Sequence, residues 1–349
     1  MDEHHPAQPE RNGSPAPGDP ASRDGRRRTI AVTGATGFVG RHLIRTLLGR
    51  GLRVRALARS ADKARRVLPE TDAIEIVEGG ALDGSSPERL VGGADACVHL
   101  IGIIREAPGG QTFRRLHTEA TRAVVRACER SGVGRYVHMS ALGARPDGVS
   151  AYQRTKFEAE RIVLRSGLDW TIFRPGLIVG PDGDFFRQMK RWCESREAPY
   201  LFLPYFLRAE VDTSTGRPRP DVGAPRLAPV DVDDVCAAFA DALENHDAVQ
   251  EIYPLVGAQE LSWPEMLRAT RDALPQANRR LRPIGIPAGL AAWQARAARA
   301  LGFGALLPFD EGMARMGAED SVADTAKAAE HLGFRPARYE DRLPDYAAG

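Results

Sequence analysis

A tyrosine and a lysine lie four residues apart in the stretch SAYQRTKFEAE, residues 150–160. Residues at this spacing share one face of a helix, so Tyr152 and Lys156 can converge on one site. An ammonium group beside a phenol stabilises the phenolate and lowers the phenol's pKa from about 10. Such a tyrosine can serve as a general acid and base near neutral pH. Chance spacing is the alternative, and it is weakened because lysine occurs at only three other positions.

Neighbouring residues suggest how this pair is placed. Ser140 ends a predicted strand, where sites borne by a parallel sheet lie, and its hydroxyl can orient a substrate carbonyl or hydroxyl. Ser150 and Gln153 form a capping box, which predicts that a helix begins there. Glu160 has the same spacing from Lys156 as Tyr152 has. A Glu160–Lys156 ion pair is therefore the competing interpretation.

A glycine-rich turn is the second chemical signature. TGATGFVG (33–40) follows the apolar run TIAVT and opens a helical pattern, which is the context that a dinucleotide-binding turn requires. The glycines permit a tight turn, a close approach to a pyrophosphate and close packing of helix on strand, while the free N–H groups of the helix start bind phosphate. The residues predicted to bind a cofactor here are Gly34, Thr36, Gly37, Phe38, Val39 and Gly40.

The end of the second predicted strand bears on which cofactor is bound. NAD sites usually carry an acidic residue about 20 residues beyond the glycines, where it binds the ribose 2′-hydroxyl. This chain instead has RALARSADK, in which Arg59 and Ser60, with Lys63 nearby, offer cations and a hydroxyl to a 2′-phosphate. We therefore predict NADP(H) in preference to NAD(H). A solvated Arg59 without a ligand is the alternative.

Strands must alternate with helices to position these residues. Strands are predicted near 29–33, 52–58, 73–77, 95–102, 135–140, 169–175 and 252–256, and helices near 41–50, 111–131, 152–166 and 230–245. This rhythm predicts an α/β fold, a Rossmann-type doubly wound parallel sheet with a small discontinuous C-terminal lobe. We assign 29–175 plus 229–257 to the dinucleotide-binding domain. The lobe takes 176–228, predicted irregular, plus 258–349, predicted helical, and residues 1–28 are predicted to be a disordered tail.

Bulk properties exclude several classes of protein. The formal net charge of +2 gives no reason to expect a nucleic-acid partner, and no apolar run reaches transmembrane length. The four cysteines are far apart in sequence and are predicted to be buried thiols in a cytoplasmic protein. No metal site is predicted, because the acids of VDVDD (230–234) fit a helix start. A small-molecule substrate is expected, and the oligomeric state is left open.

Two apolar stretches have alternative interpretations. The aromatic stretch PYLFLPYFL (199–207) is predicted to be core of the lobe, with an apolar substrate lining as the alternative. GLAAWQARAARAL (289–301) is amphipathic, with Trp293 and Leu301 on one side. A helix packed into the lobe is the preferred interpretation, and association with a membrane surface is the alternative.

The motifs TGATGFVG, HLIG, HMSALGA, YQRTK and FRPGLIVGP occur in an order that resembles the extended or atypical short-chain dehydrogenase/reductase superfamily, also called NAD-dependent epimerase/dehydratase proteins. The branch most similar contains the NADPH-binding accessory subunit of respiratory complex I. The resemblance covers residues 29–260 well and the rest loosely. It implies Tyr152 as acid/base, Lys156 as the group that lowers its pKa and binds the nicotinamide ribose, and Ser140 as the substrate-orienting residue. It also implies that Leu100, Gly102, Pro175 and Gly176 line the nicotinamide end.

Three departures separate the chain from the usual family pattern. Gly80 replaces an aspartate that often holds the adenine amine, and Asp83 lies further along. His117 occupies the position of a common asparagine, and HLIG replaces the usual His-x-Ala-Ala. These departures argue against a nucleotide-sugar substrate. The resemblance leaves two hypotheses: an NADP(H)-dependent oxidoreductase, epimerase or dehydratase, and a non-catalytic NADPH-binding protein of a respiratory or quinone-linked assembly.

Overall fold

The structure, a computed structural model, describes residues 27–208, 224–301, 307 and 309–348. Of the predicted tail 1–28, residues 1–26 lie outside this range, as does nearly all of the turn-rich stretch 212–225.

A seven-stranded sheet forms the centre of the protein. Its strands are parallel and lie in the order β3-β2-β1-β4-β5-β6-β11. This order reverses direction between β1 and β4, and ligands of open α/β sheets bind outside the carboxyl ends of the strands at such a switch point. The strands are β1 (Thr29–Thr33), β2 (Arg53–Ala58), β3 (Ile74–Glu78), β4 (Ala96–His99), β5 (Arg135–Met139), β6 (Asp169–Pro175) and β11 (Glu251–Leu255).

Helices cover both faces of this sheet, so the predicted Rossmann-type doubly wound fold is confirmed. Each face has its own apolar core. One core holds residues of α1 and α7, and the other holds residues of α3 and α4 together with Val163 of α5. The helices of this part are α1 (Phe38–Gly49), α2 (Ala61–Val67), α3 (Ser86–Val91), α4 (Ala120–Ser131), α5 (Ala151–Leu164) and α7 (Val232–Ala242), with a 3₁₀ turn at His246–Ala248.

Most of the remaining elements contribute to two further apolar clusters. They include three two-stranded sheets, of which the parallel pair of β8 and β13 is the longest. The strands are β7 (Ile178–Val179), β8 (Leu203–Leu207), β9 (Arg226–Leu227), β10 (Val230–Asp231), β12 (Leu261–Ser262) and β13 (Pro283–Pro287). The helices are α6 (Asp184–Cys193), α8 (Trp263–Ala273), α9 (Ala288–Ala300), α10 (Glu311–Met316), α11 (Ala326–Leu332) and α12 (Tyr339–Ala348).

Several predicted elements need correction. The segment 176–228 is not irregular, because it contains α6 and three short strands within the residues described. The segment 258–349 is not purely helical, because β12 and β13 lie in it. The predicted helix 111–131 begins with a π-helical stretch, Arg114–Glu119, before α4. The helix predicted from residue 230 starts at Val232, since Val230 and Asp231 pair with β7.

The predicted division into a Rossmann domain and a lobe stays a prediction. One segment that we assigned to the lobe packs elsewhere: α11 places Ala328 and Leu332 in the same core as α1 and α7. The aromatic stretch is also mixed. Leu203 is buried, whereas Tyr200 and Leu201 are exposed, so these two are not core residues as predicted.

The predicted roles of two residue groups fit their surroundings. All four cysteines are buried free thiols. Asp231 caps α7 by accepting from the Asp233 N–H at 2.7 Å and also contacts Arg342 and Tyr346. The acidic cluster therefore serves to hold α7 and α12 together. Across the described residues, no helix has both the length and the apolar character needed to cross a membrane.

Candidate active site

The glycine turn between β1 and α1 leaves no room for side chains at two positions. Gly34 has a φ of +68°, and a Cβ there would lie 3.0 Å from the backbone of Leu100 at the end of β4. A Cβ on Gly40 would lie 2.2 Å from the Gly34 carbonyl oxygen. Glycine is needed at both places, as the dinucleotide-binding turn requires. The turn closes with a hydrogen bond from the Gly37 N–H to the Gly34 oxygen at 3.0 Å.

The N-terminus of α1 presents backbone N–H groups to this turn. Gly37 is its N-cap, and no side chain among the described residues caps it. Free N–H groups at a helix start bind anions, so the turn fits a pyrophosphate. Val39 is buried and the Phe38 ring packs beside Gly180 and Gly183. These two predicted cofactor residues can therefore contribute through their backbone, and Thr36 accepts from Arg41 through its carbonyl oxygen.

Helix α5 carries the tyrosine and the lysine. The predicted capping box is present: Ser150 Oγ accepts from the Gln153 N–H at 3.2 Å, and Gln153 Oε1 accepts from the Ser150 N–H at the same distance. Lys156 is buried, and its Nζ donates to the Met139 carbonyl oxygen at 2.8 Å. A Cβ on Gly102 would lie 3.1 Å from the same Nζ. The lysine thus lies between the carboxyl ends of β4 and β5.

The predicted competitor of this arrangement is engaged elsewhere. Glu160 is fully buried and binds Arg174 through two hydrogen bonds, at 2.8 and 2.6 Å. It forms no ion pair with Lys156. Burial lowers the pKa of Lys156 to about 8, and the charge of Glu160 opposes that shift. A buried ammonium of this kind is poorly solvated and favours additional hydrogen-bond acceptors.

Tyr152 lies against two aromatic rings. His117 meets it edge-on with 5.3 Å between ring centroids, and Phe113 does so at 5.9 Å. Burial raises the pKa of Tyr152 to about 12. The direction is opposite to the lowering that the sequence analysis expects from Lys156. The phenol of Tyr152 is therefore protonated at neutral pH.

Ser140 follows β5 directly, and its backbone N–H donates to the Phe173 oxygen at 2.7 Å. Its hydroxyl is 2% exposed and has no hydrogen-bond partner among the described residues. Most buried polar groups in native proteins are hydrogen-bonded, and exceptions often mark sites of function. Pro175, predicted to line the nicotinamide end, is buried at the end of the neighbouring strand, and its carbonyl oxygen accepts from the Leu142 N–H.

His117 occupies the π-helical stretch before α4. Its Nδ1 lies 2.9 Å from Thr155 Oγ1, and its Nε2 lies 3.1 Å from the backbone of Ile103. Burial, reinforced by the charge of Lys156, lowers its pKa to about 2. The imidazole is therefore neutral with both nitrogens engaged by the fold. Stretches of π-helix occur frequently at functional sites, and this one presses the ring against Tyr152.

The opposite end of the candidate cofactor site lies at the carboxyl ends of β2 and β3. Arg59 is exposed there, and Ser60 caps α2 by accepting from the Lys63 N–H at 3.3 Å. Gly80 donates its N–H to Asp83 at 2.7 Å, so the Asp83 carboxylate is already used within its own turn.

Sequence reasoning missed two charged residues of the site. Glu78 ends β3 and accepts from the Ala61 N–H at 3.3 Å, which puts a carboxylate beside Ser60. Arg174 follows Phe173 in β6, and Phe173 is paired with Met139, the residue before Ser140. Arg174 is also the partner that engages Glu160 away from Lys156. The register of parallel strands would have indicated Arg174. Only the fold reveals Glu78, since it comes from a different strand than Ser60.

Comparison with known proteins is consistent with a nucleotide-binding role for the glycine turn. A family model described as NAD(P)H-binding matches residues 34–189. A ceramide reductase of Caulobacter vibrioides is 34% identical over 155 residues, 44% of this chain and 48% of the reductase. The chain thus spans about half the length of that relative. The chain is therefore similar to NAD(P)-binding proteins of the short-chain dehydrogenase/reductase type.

Two further proteins resemble the chain. Subunit 9 of the NADH dehydrogenase [ubiquinone] 1 alpha subcomplex from Arabidopsis thaliana mitochondria is 26% identical over 266 residues, 75% of this chain and 62% of the subunit. The UDP-glucuronic acid 4-epimerase of Bacillus cereus, solved with UDP-glucuronic acid and NAD, superposes with a TM-score of 0.67. It is 17% identical over 92% of this chain and 99% of its own, so it shows the shared fold.

Proposed function

We propose that this protein is an NADP(H)-dependent oxidoreductase of the short-chain dehydrogenase/reductase type that acts on a small apolar carbonyl or hydroxyl compound in the cytoplasm. Epimerase or dehydratase chemistry, with transient hydride transfer, uses the same groups. The observation that carries the proposal is the environment of Lys156. Its buried ammonium donates to Met139 and lies beside Gly102 at the switch point of the sheet. The hydroxyl groups of a nicotinamide ribose are acceptors of the kind that this ammonium favours.

The residues present suit NADP(H) at the pyrophosphate and at the nicotinamide end of the site. The turn from Gly34 to Gly40 would hold the pyrophosphate, and Leu100, Gly102 and Pro175 would line the nicotinamide end. When bound, the reduced cofactor supplies a hydride to a substrate carbon. Tyr152 would donate its phenol proton to the oxygen of that carbonyl, and the Ser140 hydroxyl would orient the same oxygen.

The protonation state of Tyr152 is compatible with a reduction. Its phenol is protonated at neutral pH, so it would give its proton to a carbonyl oxygen while the carbon gains a hydride. The positive charge of Lys156 then stabilises the phenolate that remains. An apolar substrate is supported by the similarity to a ceramide reductase and by the departures at Gly80, His117 and HLIG, which argue against a nucleotide sugar.

The preference for NADP(H) rests on Arg59, with Glu78 acting against it. The exposed guanidinium can pair with a 2′-phosphate, whereas the Glu78 carboxylate beside Ser60 would repel one. Titration of NADPH and NADH by fluorescence tests this balance. We expect the wild type to bind NADPH more tightly than NADH. Arg59→Gln should bind NADPH at least tenfold more weakly than wild type and NADH equally well. Glu78→Gln should bind NADPH more tightly than wild type. Equal affinities for the two cofactors, together with an inert Arg59→Gln, would refute the preference.

A non-catalytic NADPH-binding role in a respiratory or quinone-linked assembly is the second candidate. The similarity to subunit 9 of the mitochondrial NADH dehydrogenase, over three quarters of this chain, favours it. A screen of quinones, isoprenoid carbonyls and sterols for NADPH oxidation separates the two candidates. Oxidation by any of these compounds supports the enzyme. Tight NADPH binding without oxidation supports the accessory role, in which the nucleotide stabilises the fold by mass action.

A further inference from the structure

Large apolar side chains are concentrated on one exposed part of the molecule. They belong to the segment before β8, to β13 and to α9, and Leu201 is 86% exposed, Leu301 71% and Trp293 65%. Single exposed apolar residues are ordinary, but a group of them signals an interaction site. The residues of this group are Tyr200, Leu201, Ile284, Leu290, Trp293 and Leu301.

Helix α9 is apolar on two opposite sides. It packs into the fold with small side chains, Ala291, Ala292 and Ala295, which face Phe206, Phe309 and Ala314. At 100° per residue, Leu290 and Trp293 project from the other side. An ordinary surface helix buries its large apolar residues. Helix α9 instead buries small ones and exposes Leu290 and Trp293, so folding of this chain does not account for its outer side. The predicted packing of this helix into the fold therefore describes its inner side only.

Two arginines lie beside these apolar residues. The Leu203 N–H donates to the Arg282 carbonyl oxygen at 2.9 Å, which places the start of β8, with Leu201 before it, next to the start of β13. Arg280 and Arg282 are exposed, and neither side chain forms an ion pair with any residue that the structure describes. Apolar side chains beside unpaired cations are complementary to a surface that is itself apolar and negatively charged.

We propose that this surface is a docking face for an anionic lipid bilayer, with Leu290 and Trp293 inserted at the headgroup level and Arg280 and Arg282 on lipid phosphates. The docking face comprises the six apolar residues above and these two arginines. Tryptophan at the membrane interface and cations on the polar side are typical of helices that lie on a bilayer. A second copy of the chain is a poorer occupant, since a two-fold interface would bring like charges together.

The inner side of α9 is connected to the start of α5 through α10. Helix α10 packs on α9 through Ala314, and a Cβ on its Gly312 would lie 3.4 Å from Cβ of Ser150, two residues before Tyr152. Arg105, three residues after Gly102, donates to the Leu307 oxygen at 2.9 Å. The docking face is on the opposite side of α9 from its contact with α10, so the proposal concerns attachment to a bilayer alone and does not depend on the proposed function.

Sedimentation with lipid vesicles tests the proposal on the full chain. We expect binding to phosphatidylcholine vesicles that contain a quarter phosphatidylglycerol, weaker binding to pure phosphatidylcholine, and a blue shift of tryptophan emission on binding. The double variant Leu290→Ser/Trp293→Ser should lose at least tenfold in binding, and Arg280→Glu/Arg282→Glu should lose the preference for anionic vesicles. Val67→Ser/Leu164→Ser, which removes two exposed apolar side chains elsewhere, is the matched control and should bind as wild type does.

Several outcomes would overturn the proposal. They are no vesicle binding by the wild type, unchanged binding by Leu290→Ser/Trp293→Ser, and a wild-type dimer in light scattering that this variant converts to a monomer without any vesicle binding. NADPH titration of each variant provides the check on folding. A variant that keeps its NADPH affinity but loses vesicle binding is altered at the docking face alone. Failure of the docking proposal is therefore distinguishable from failure of the cofactor assignment.

Discussion

At the scale of single residues, the site is defined by polar groups that the fold buries and leaves incompletely satisfied. Lys156 and Ser140 are both about 2% exposed, and neither has the full set of partners that its polar atoms could use. Tyr152 packs edge-on against the rings of Phe113 and His117. Such groups cost folding free energy unless a ligand completes them, so their presence together points to function.

Two serines near the ends of one loop should respond in opposite ways to removal of their hydroxyl. Ser140→Ala removes an unpartnered buried hydroxyl and should leave the free energy of unfolding unchanged or raise it by up to about 1 kcal/mol. Ser150→Ala breaks a capping box and should lower it by about 1 kcal/mol. Urea denaturation of both variants measures this. A clear loss of stability in Ser140→Ala would show that its hydroxyl is a structural partner.

At the scale of secondary-structure elements, most of the Rossmann part could be predicted from the sequence. Its strands are short apolar runs bounded by turn residues, and the capping box at Ser150 set the start of α5 correctly. The elements outside it were harder to predict. β13 reads PIGIP, and proline and glycine disfavour strands, but this strand pairs on one side only, with β8. The π-helical stretch before α4 has no signature in a pattern read at 3.6 residues per turn.

Part of the site could be predicted in the same way. The glycine turn, Tyr152, Lys156 and Ser140 follow from motif and strand position. The partnership of Glu160 with Arg174, and the carboxylate of Glu78 beside Ser60, depend on which strands become neighbours. The direction of the Tyr152 pKa shift could not be predicted from spacing, because it is set by burial in the fold.

Two glycines of α1 should respond in opposite ways to replacement by alanine, because one is closely packed and the other is not. Gly40→Ala forces a Cβ to within 2.2 Å of a backbone oxygen and should lower the free energy of unfolding by about 3 kcal/mol or more. Gly49→Ala is the control: nothing lies within 4 Å of its Cβ, and the change should raise stability by about 0.5 kcal/mol. Thermal unfolding compares the two. Similar effects at both positions would contradict the close packing of turn and helix.

At the scale of the whole molecule, one histidine connects three segments. His42 of α1 lies 2.9 Å from Asp182, in the segment before α6, and 2.7 Å from Asp233 in the first turn of α7. The hydrogen bond with Asp233, helped by Asp182, raises the pKa of His42. Arg41 also binds Asp182, while Arg45 and Arg342 act on Asp233 by charge. Protonated His42 thus holds the segment that covers the glycine turn.

This contribution should depend on pH in a definite direction. A pKa raised by folding gives stability that is complete below the unfolded value of about 6.5 and is lost as pH rises through the folded value. His42→Gln should therefore lose about 1.5 kcal/mol relative to wild type at pH 6 and progressively less at higher pH. Urea unfolding at pH 6 and pH 8.5 measures the difference. Lys327→Gln, which breaks the exposed ion pair with Glu251, should show the same small loss at both values. A His42→Gln deficit independent of pH would exclude the protonated bridge.

The most direct test of the central claim compares wild type with Tyr152→Phe for NADPH binding and for NADPH oxidation by the carbonyl compound found in the screen. The phenol hydroxyl gives the proton in the proposed reaction, whereas the cofactor is held by the glycine turn and Lys156. We therefore predict NADPH affinity within a few-fold of wild type and a loss of turnover of about a hundredfold or more. Turnover unchanged in Tyr152→Phe would contradict the assignment of this residue as the acid.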